Sequence, residues 1–461
     1  MTGSASVIVN GGTISRNFIK ATTGQNVCGG AIYIENGTGT INGGTITQNY
    51  TQTDATGKEA VGGAIFVNGQ GTSQSTLTIN GGSITNNYAT VTTNGALGGA
   101  IAVVGANASA TITGGTISRN YALSTGKDAY GGAVVVRDSA RLTMNGGTIS
   151  DSYAKAQTAK TGTTFRYVYG GAIAIVDSAE MTLSGGTITG NYAEHTGAAV
   201  QVKGAGIFIG YNNTNTTLTD PVPGTLNISG NPSFGTGNML KTALSGATNG
   251  GEAYNYPRQD IYIPAISDAA PYIVVTGNIS SPAGSIWIYA PIDSVEAKQH
   301  YKVGQQFAVI QDGVSVSDSS LLAFRDAQDD STTTGSARSD YLTGIKGDNP
   351  AHVYWGIPVQ GSRKVILRKA VKDTYVPLEN AVFTIYKVKG STVMVLKGVE
   401  LKDLQSMASG VYFIGELPYG TYYIKETTVP DGYTVHDTAN QCNWFKLQVG
   451  LDGVTVQLDT D

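Results

Sequence analysis

Short runs in which an aliphatic or β-branched residue alternates with a polar one recur along the first half of the chain. Six of them begin with the element GG[TS]I, at Gly11, Gly43, Gly81, Gly114, Gly146 and Gly185. The element GGA falls between them, at Gly29, Gly62, Gly98, Gly131 and Gly170. A third run, such as STLTIN or RLTMN, precedes most of the GG[TS]I elements. The alternation and the short length predict β-strands, three in each repeat.

A repeat of this size cannot bury the apolar side of its own strands. Stacking each winding of the chain on the previous one buries a continuous core, so the pattern predicts a parallel β-solenoid. Side chains alternate between the two faces of a strand, which directs Ile14 inward and Thr13 and Ser15 outward. The equivalent isoleucines are expected in one inward column: Ile46, Ile84, Ile117, Ile149 and Ile188. The glycine pairs are expected at the corners, where the chain bends sharply.

Two more columns follow each isoleucine. The third residue after it is asparagine or serine, at Asn17, Asn49, Asn87, Asn120, Ser152 and Asn191. Asparagine tolerates left-handed turns, and its amide can bond to the next amide in a stack, so we expect a turn and an amide ladder there. The next residue is aromatic and predicts a ring stack, at Phe18, Tyr50, Tyr88, Tyr121, Tyr153 and Tyr192.

Alternation of GGAI with IxxN resembles the GGA(I/L/V) and FxxN repeats of polymorphic outer-membrane protein adhesins. The resemblance covers about residues 7–210 and implies a right-handed parallel β-helix. Residues 211–360 lose the strict period but keep strand signals, and they resemble the irregular final coils of bacterial β-helix surface proteins. We therefore expect one solenoid over residues 1–360. A separate small β-sandwich within 211–360 is the alternative.

The sequence changes in character at residue 361. The stretches KVILRKAVKDTYVPLENAVF and GTYYIKETTVPDGY resemble the Cna B-type, or prealbumin-like, domain of Gram-positive adhesins and pilins. The resemblance implies a small β-sandwich over residues 361–461, so the whole chain is expected to be all-β. Many domains of this family close an intramolecular isopeptide bond. Lys369 matches the family lysine and Glu426 the proton-shuttling glutamate.

The sequence departs from the family pattern at the residue that would accept such a bond. Val454 and Val456 have the parity of inward residues, which places Leu458 where an asparagine or aspartate is expected. Asp459 is the nearest candidate in sequence, but it has the opposite parity. The alternative is a domain held by packing alone, in which Lys369 and Glu426 form an ordinary ion pair.

The composition limits which classes of partner and cofactor are expected. Only 13% of residues are charged, the net charge is −4, and no cationic run occurs, which argues against nucleic acid or an anionic membrane as a partner. No apolar run approaches the roughly 20 residues of a spanning helix. Cys28 and Cys442 are expected to be unpaired thiols, and the four histidines lack metal-ligand spacing. We therefore expect no metal and no cofactor. Met1 opens directly into repeat-like sequence, so an excised piece of a longer protein is expected.

These patterns favour a non-enzymatic adhesin or stalk module, displayed outside the cell and attached to a Gram-positive cell wall in the full-length protein. Its expected partner is a host or microbial surface glycan or protein, bound through the solenoid faces and loops. For a saccharide, Tyr130, Tyr167 and Tyr169 are candidate stacking rings on the surface.

Two alternatives use other residues. A β-helix polysaccharide lyase or glycoside hydrolase needs carboxylates on one face, and Asp138 and Asp177 follow equivalent GGA strands, with Arg137 beside them. The outward hydroxyls of the GG[TS]I strands also resemble the ice-binding face of some β-solenoid antifreeze proteins, although threonine is equally an ordinary solvent-facing strand residue.

Overall fold

A computed structural model gives the structure of the protein. It describes residues 5–157, 166–195, 200–211, 222–242, 258–264, 272–289 and 306–327, together with shorter segments at 248–249, 252–253, 344–346, 352–354, 362–368, 370–371, 374, 376, 378, 382–389, 392–400, 406–408, 411–418, 420–428, 431–432, 444–450 and 453–458. The chain divides into two compact units, residues 1–330 with 346–355, and residues 331–345 with 356–461.

The first unit is a parallel β-solenoid built from five sheets, here numbered I to V in the order in which each winding visits them. Sheet I contains Ser6–Val9, Thr38–Ile41, Ser75–Ile79, Ala108–Ile112, Arg141–Met144, Glu180–Leu183, Thr225–Gly230, Ile273–Ile279 and Gln306–Ile310. Sheet II contains Thr13–Ser15, Thr45–Thr47, Ser83–Thr85, Thr116–Ser118, Thr148–Ser150 and Thr187–Thr189. Sheet III contains Phe18–Ala21, Tyr50–Thr53, Tyr88–Val91, Tyr121–Ser124, Tyr153–Ala156, Tyr192–His195 and Met239–Thr242.

The remaining two sheets follow the aromatic strands in each winding. Sheet IV contains Val27–Cys28, Ala60–Val61, Ala96–Leu97, Ala129–Tyr130, Arg166–Tyr169 and Val200–Lys203. Sheet V contains Ile32–Glu35, Ile65–Asn68, Ile101–Val104, Val134–Arg137, Ile173–Val176, Ile207–Gly210, Ile261–Tyr262, Ile286–Tyr289 and Phe324–Asp326. The other elements of this unit are the hairpin Thr248–Asn249 with Glu252–Ala253, the short helix Asp318–Leu321, and the strand His352–Tyr354, which pairs antiparallel with Gln306–Ile310. The strand Gly344–Lys346 spans the sequence boundary between the two units. Strands beyond residue 211 thus extend sheets I, III and V with parallel pairing.

Each complete winding has five strands, whereas three were predicted. The two additional strands form sheets III and IV, and the first of the turns separates each GG[TS]I strand from the aromatic strand that follows it. The residue before each ladder asparagine has a left-handed backbone, for example Arg16 with φ 60° and Gln48 with φ 56°, and this turn separates sheet II from sheet III. The prediction that the asparagines themselves adopt this conformation was therefore wrong.

The glycine pair of the GGA element makes the second turn, between sheets IV and V. Gly98 has φ +63°, a conformation that residues with a Cβ rarely adopt. Gly99 has no room for a side chain, because a Cβ would overlap the backbone of Gly132 and Tyr121. The two glycines are needed for different reasons, one for its backbone conformation and the other for close approach of neighbouring windings.

The predicted columns are present and in register. Ile46, Ile84 and Ile117 are opposite one another in sheet II and are buried, and Ile149 and Ile188 continue the column. Ile14 in the first strand is half-buried. The aromatic rings of sheet III stack from Phe18 to Tyr192 with centroids 4.7 to 5.0 Å apart and planes within 9°.

Asparagines form the predicted ladder inside the solenoid. The main-chain N–H and the amide of Asn49 both donate to Oδ1 of Asn87, at 2.9 and 3.0 Å. Asn87 donates in the same way to Asn120, at 2.9 and 3.1 Å. The ladder continues through Asn191 and Asn238 and ends on the buried carboxylate of Asp260, which accepts both bonds from Asn238.

The second unit contains two antiparallel sheets. The three-stranded sheet has the order Ser362–Arg368, Val411–Pro418, Ser406–Ala408. The five-stranded sheet has the order Thr392–Glu400, Val382–Lys389, Gly420–Thr428, Trp444–Gly450, Gly453–Leu458. A buried cluster that includes Val365, Phe383, Tyr422, Ile424 and Leu447 draws on strands of both sheets, as in a small β-sandwich.

Candidate functional site

Outward side chains of sheets IV and V pack against each other across the glycine corner, and we call this strip the aromatic seam. It forms a hydrophobic cluster of its own. Its buried members are Val61, Phe66, Leu97, Ala102, Val104, Tyr130, Val135, Tyr169, Ala174, Val176, Phe208, Tyr262, Tyr289 and Ala327, and its partly buried members are Cys28, Tyr33, Tyr167 and Trp287. No sequence pattern predicted it, because only the fold brings residues on either side of GGA together.

All three tyrosines proposed from the sequence lie in the seam. The ring of Tyr169 lies 5.1 Å from that of Tyr130 and 5.3 Å from that of Tyr167. The expectation that all three are exposed was wrong: Tyr130 and Tyr169 are 0% and 2% exposed. Their rings fill the angle between the two sheets and cannot serve as surface platforms. Tyr167 is only partly buried, so it is the one of the three that a ligand can reach.

An ion pair crosses the seam in its first windings. Glu59 precedes a strand of sheet IV, Arg137 ends a strand of sheet V, and their side chains meet at 3.0 Å. Burial alone would lower the pKa of Arg137, but the carboxylates of Glu59 and Asp138 outweigh it and the pKa is raised. Both side chains are largely buried, at 12% and 13% exposed. The pair therefore covers this part of the seam.

Cys28 lies beside that ion pair as a free, partly buried thiol. Burial raises the pKa of Cys28 to about 11, with Arg137 lowering it and Glu59 raising it to smaller extents. A thiol with such a pKa is protonated at neutral pH and is a poor nucleophile. The prediction of an unpaired thiol is confirmed for Cys28, whereas Cys442 lies outside the described residues.

The carboxylates considered for catalysis lie just beyond sheet V. Asp138 and Asp177 occupy equivalent turns with φ 58° and 55°, and the N–H of Ser139 donates to the carbonyl of Asp177 at 3.0 Å. Arg137, the expected third member, is engaged by Glu59 and lies 3.5 Å from Asp138. Within the described parts of the chain, no group of three His, Cys, Asp or Glu residues could hold a metal ion.

Cations and aromatic rings alternate in the last windings of the seam. The ammonium of Lys203 lies 5.2 Å from the ring centre of Tyr262 and 6.0 Å from that of Tyr169. The guanidinium groups of Arg258 and Arg325 lie 4.6 and 4.4 Å from the ring centre of Trp287. Such contacts stabilise each cation without neutralising it.

Asp260 is a buried carboxylate that contacts this cationic segment. It accepts hydrogen bonds from Arg258 at 3.0 and 3.2 Å and from the N–H of Trp287 at 3.2 Å. Burial raises the pKa of Asp260, and Arg258 lowers it in part. Asp260 is thus occupied by Arg258 and by the end of the asparagine ladder.

Sheet II presents the predicted hydroxyl columns. Thr13, Thr45 and Ser83 are in register, as are Ser15, Thr47 and Thr85, and the same pairing continues through Thr116–Ser118, Thr148–Ser150 and Thr187–Thr189. Most of these side chains are half-buried in their own column, whereas Ser118 is buried. The columns are regular, but the structure gives them no feature beyond that of a threonine-rich solvent face.

In the second unit, Glu426 is almost fully buried and lies opposite the core residue Phe383. Lys369 and Asp459 lie outside the described residues. Val454 and Val456 are in register with the buried Val449 and Leu447, on the predicted inner face. They are nevertheless exposed, because their strand is at the edge of the sheet.

Comparison with known proteins identifies one part of the chain. Residues 363–458 match the family model for SpaA, the prealbumin-like fold domain. Searches of curated proteins and of solved structures found no significant match. Prealbumin-like domains of this kind are typical of surface and pilin-type proteins. In the described part of the chain, no helix has the length and apolar character needed to cross a membrane.

Proposed function

We propose that the chain is a non-enzymatic adhesin or stalk module exposed on a Gram-positive cell surface. The match of residues 363–458 to a prealbumin-like domain supports surface display. In this proposal the C-terminal domain connects the solenoid to further stalk or to a cell-wall anchor. The solenoid presents long, regular faces, and its partner is a surface glycan or, as the second possibility, a matrix protein.

The aromatic seam favours the glycan. Sugar rings stack on exposed aromatic side chains, and the seam has partly exposed rings packed against a buried row of rings that crosses successive windings. Tyr167 and Trp287 are its partly buried aromatic members toward the cationic end. The ring stack of sheet III is a poorer platform, since each inner ring there is covered on both sides by its neighbours.

A binding array of glycans and matrix proteins, applied to the full chain, tests this function. We expect binding to a saccharide and a loss of affinity of about 2- to 12-fold in Tyr167→Ala, which corresponds to the roughly 0.5–1.5 kcal/mol of one stacked ring. Phe18→Ala is the matched control, because Phe18 is an exposed aromatic residue outside the seam. Release of sugar products from a polysaccharide would overturn the proposal that the chain is not an enzyme. Binding to matrix proteins alone would overturn the proposal that its partner is a glycan.

An intramolecular isopeptide bond in the C-terminal domain is part of the proposal. The amine of Lys369 would attack the side-chain carboxyl of Asp459, form an amide and release one water, with Glu426 transferring the protons. The burial of Glu426 supports this role, because such chemistry needs a site shielded from solvent. Intact-mass measurement should show the loss of one water, restored in Glu426→Ala. If the native chain has its unmodified mass, the isopeptide bond is not formed and packing alone holds the domain together.

A further inference from the structure

We propose that the edge formed by the first winding of the solenoid is a docking surface for one further parallel winding of the same repeat. We call this surface the open edge. It consists of the strands Ser6–Val9, Thr13–Ser15, Phe18–Ala21, Val27–Cys28 and Ile32–Glu35. Each of these strands is at the end of its sheet and, among the described residues, is paired on one side only. The inference does not depend on the proposed function.

The interior of the solenoid is exposed at the open edge. Ile19 is 40% exposed, whereas Ala89 and Ala122 at the same position of later windings are 0% exposed. Phe18 is 57% exposed, and its ring stacks on Tyr50 with one face. The terminal repeats of solenoid proteins usually have a polar outer face that covers the core. Among the described residues the open edge has no such cover, and it resembles an interior winding.

The main chain of the open edge has unfilled hydrogen bonds of the kind that join one winding to the next. In the second winding, the N–H of Tyr50 donates to the carbonyl of Asn17 at 3.0 Å. Phe18 is the equivalent of Tyr50 in the open edge, and its N–H has no such partner among the described residues. Thr45 donates to the first winding at 2.8 Å, and its equivalent Thr13 likewise has no partner there. Such unpaired groups are a template for another strand.

Two asparagine columns add a side-chain requirement. In the inner ladder each asparagine accepts from the winding before it, as Asn49 does from Asn17 at 2.9 and 3.0 Å. Oδ1 of Asn17 can therefore accept from a preceding winding. An outer column runs in the opposite direction, because the amide of Asn42 donates to Asn10 at 2.8 Å and that of Asn80 to Asn42 at 2.9 Å. The open edge thus presents one acceptor and one donor, which asparagines at the two equivalent positions of an added winding would satisfy.

A second copy of the chain does not complement the open edge. Brought edge to edge, it would wind in the opposite sense about the common axis, so its five strands could not all pair. The other end of the solenoid does not supply the missing donors. There the ladder ends on Asp260, whose N–H donates to the carbonyl of Trp287 at 3.0 Å, and the antiparallel strand His352–Tyr354 pairs with Gln306–Ile310. A parallel winding continues the interface that already joins the regular windings, and it is the occupant that fits.

Attaching such a winding to the full chain tests the docking surface. Residues 75–108 form one complete winding, with Asn80 and Asn87 at the two asparagine positions, and can be joined ahead of Ser6 in place of residues 1–5. We expect the amides of Thr13 and Phe18 to exchange about tenfold more slowly or better, and the urea midpoint of unfolding to rise. The same segment in shuffled order is the control and should change neither.

Variants of the attached winding test the asparagine requirement. Asn80→Ala together with Asn87→Ala in the attached copy should remove roughly half of the gain in the urea midpoint, because Asn10 and Asn17 then lose their side-chain partners. Equal amide exchange with the ordered and the shuffled segment, or an undiminished gain in the double variant, would overturn the proposal. Sedimentation of the native chain tests the other occupant: a dimer that slows exchange of the Thr13 amide would assign the open edge to a second copy and would also overturn it.

Discussion

Removing one rung of the asparagine ladder should destabilise the solenoid strongly. The side chain of Asn87 accepts two hydrogen bonds from Asn49 and donates one to the carbonyl of Ile46, at 2.9 to 3.0 Å. Asn87→Ala leaves the main-chain N–H of Asn49 without its acceptor and the Ile46 carbonyl without this donor. A buried group left unsatisfied costs about 1–3 kcal/mol, so we expect a total loss of about 2–6 kcal/mol.

The chain contains controls for this estimate. Asn17 belongs to the same ladder but is exposed, and no asparagine donates to its side chain among the described residues, so Asn17→Ala should cost well under half as much. Asn87→Ser should fall between the two, because Ser152 occupies the ladder naturally and its hydroxyl accepts from the N–H of Asn120 at 3.2 Å.

Urea unfolding followed by circular dichroism measures these differences, and hydrogen exchange locates them. The exchange of the Asn49 amide should be accelerated in Asn87→Ala before that of distant windings. Equal stabilities for Asn87→Ala and Asn17→Ala would refute the ladder as a source of stability.

Three other predictions concern single sites. Gly99→Ala should abolish folding of the solenoid or cost more than about 3 kcal/mol, because its Cβ would overlap backbone atoms, whereas Gly11→Ala, which has open space and no positive φ, should be nearly neutral by thermal unfolding. With a pKa of about 11 instead of 9, Cys28 has about 100-fold less thiolate; reaction with a thiol reagent near neutral pH should be slow in the native chain and fast in urea. The raised pKa of Asp260 gives stability that is present below the unfolded pKa and lost as pH rises through the folded one. The stability of Asp260→Asn relative to the native chain should therefore increase as pH rises above about 4, and a constant difference would contradict that assignment.

The columns of the solenoid could be read from the sequence because each depends on a residue type recurring at one place in the period. The isoleucines, the tyrosines and the asparagine amides are such cases. The number of strands could not, since Arg16, Gln48 and their equivalents adopt a left-handed turn without a shared side chain that would mark it. Stacking forces the conformation there, and local preference does not reveal it.

The candidate site was only partly predictable. Tyr130 and Tyr169 were candidates because they are aromatic. Their burial could not be predicted, because it depends on the angle between sheets IV and V, which the glycine corner sets. Glu59 and Arg137, which form an ion pair, are 78 positions apart in the sequence. The cationic segment lies where the strict period has ended, so its residues have no repeat by which a sequence pattern could align them.

Stacking of one winding on the next is the central claim, and pulsed electron paramagnetic resonance tests it most directly. With Cys28 and Cys442 replaced by serine, spin labels are attached at Thr13 with Thr148, and at Thr13 with Thr187, in the outward column of sheet II. Parallel strands about 4.8 Å apart predict separations of about 19 and 24 Å, four and five windings along one line. Two narrow distributions that differ by one strand spacing would support the account, whereas equal, broad or unordered distances would contradict it.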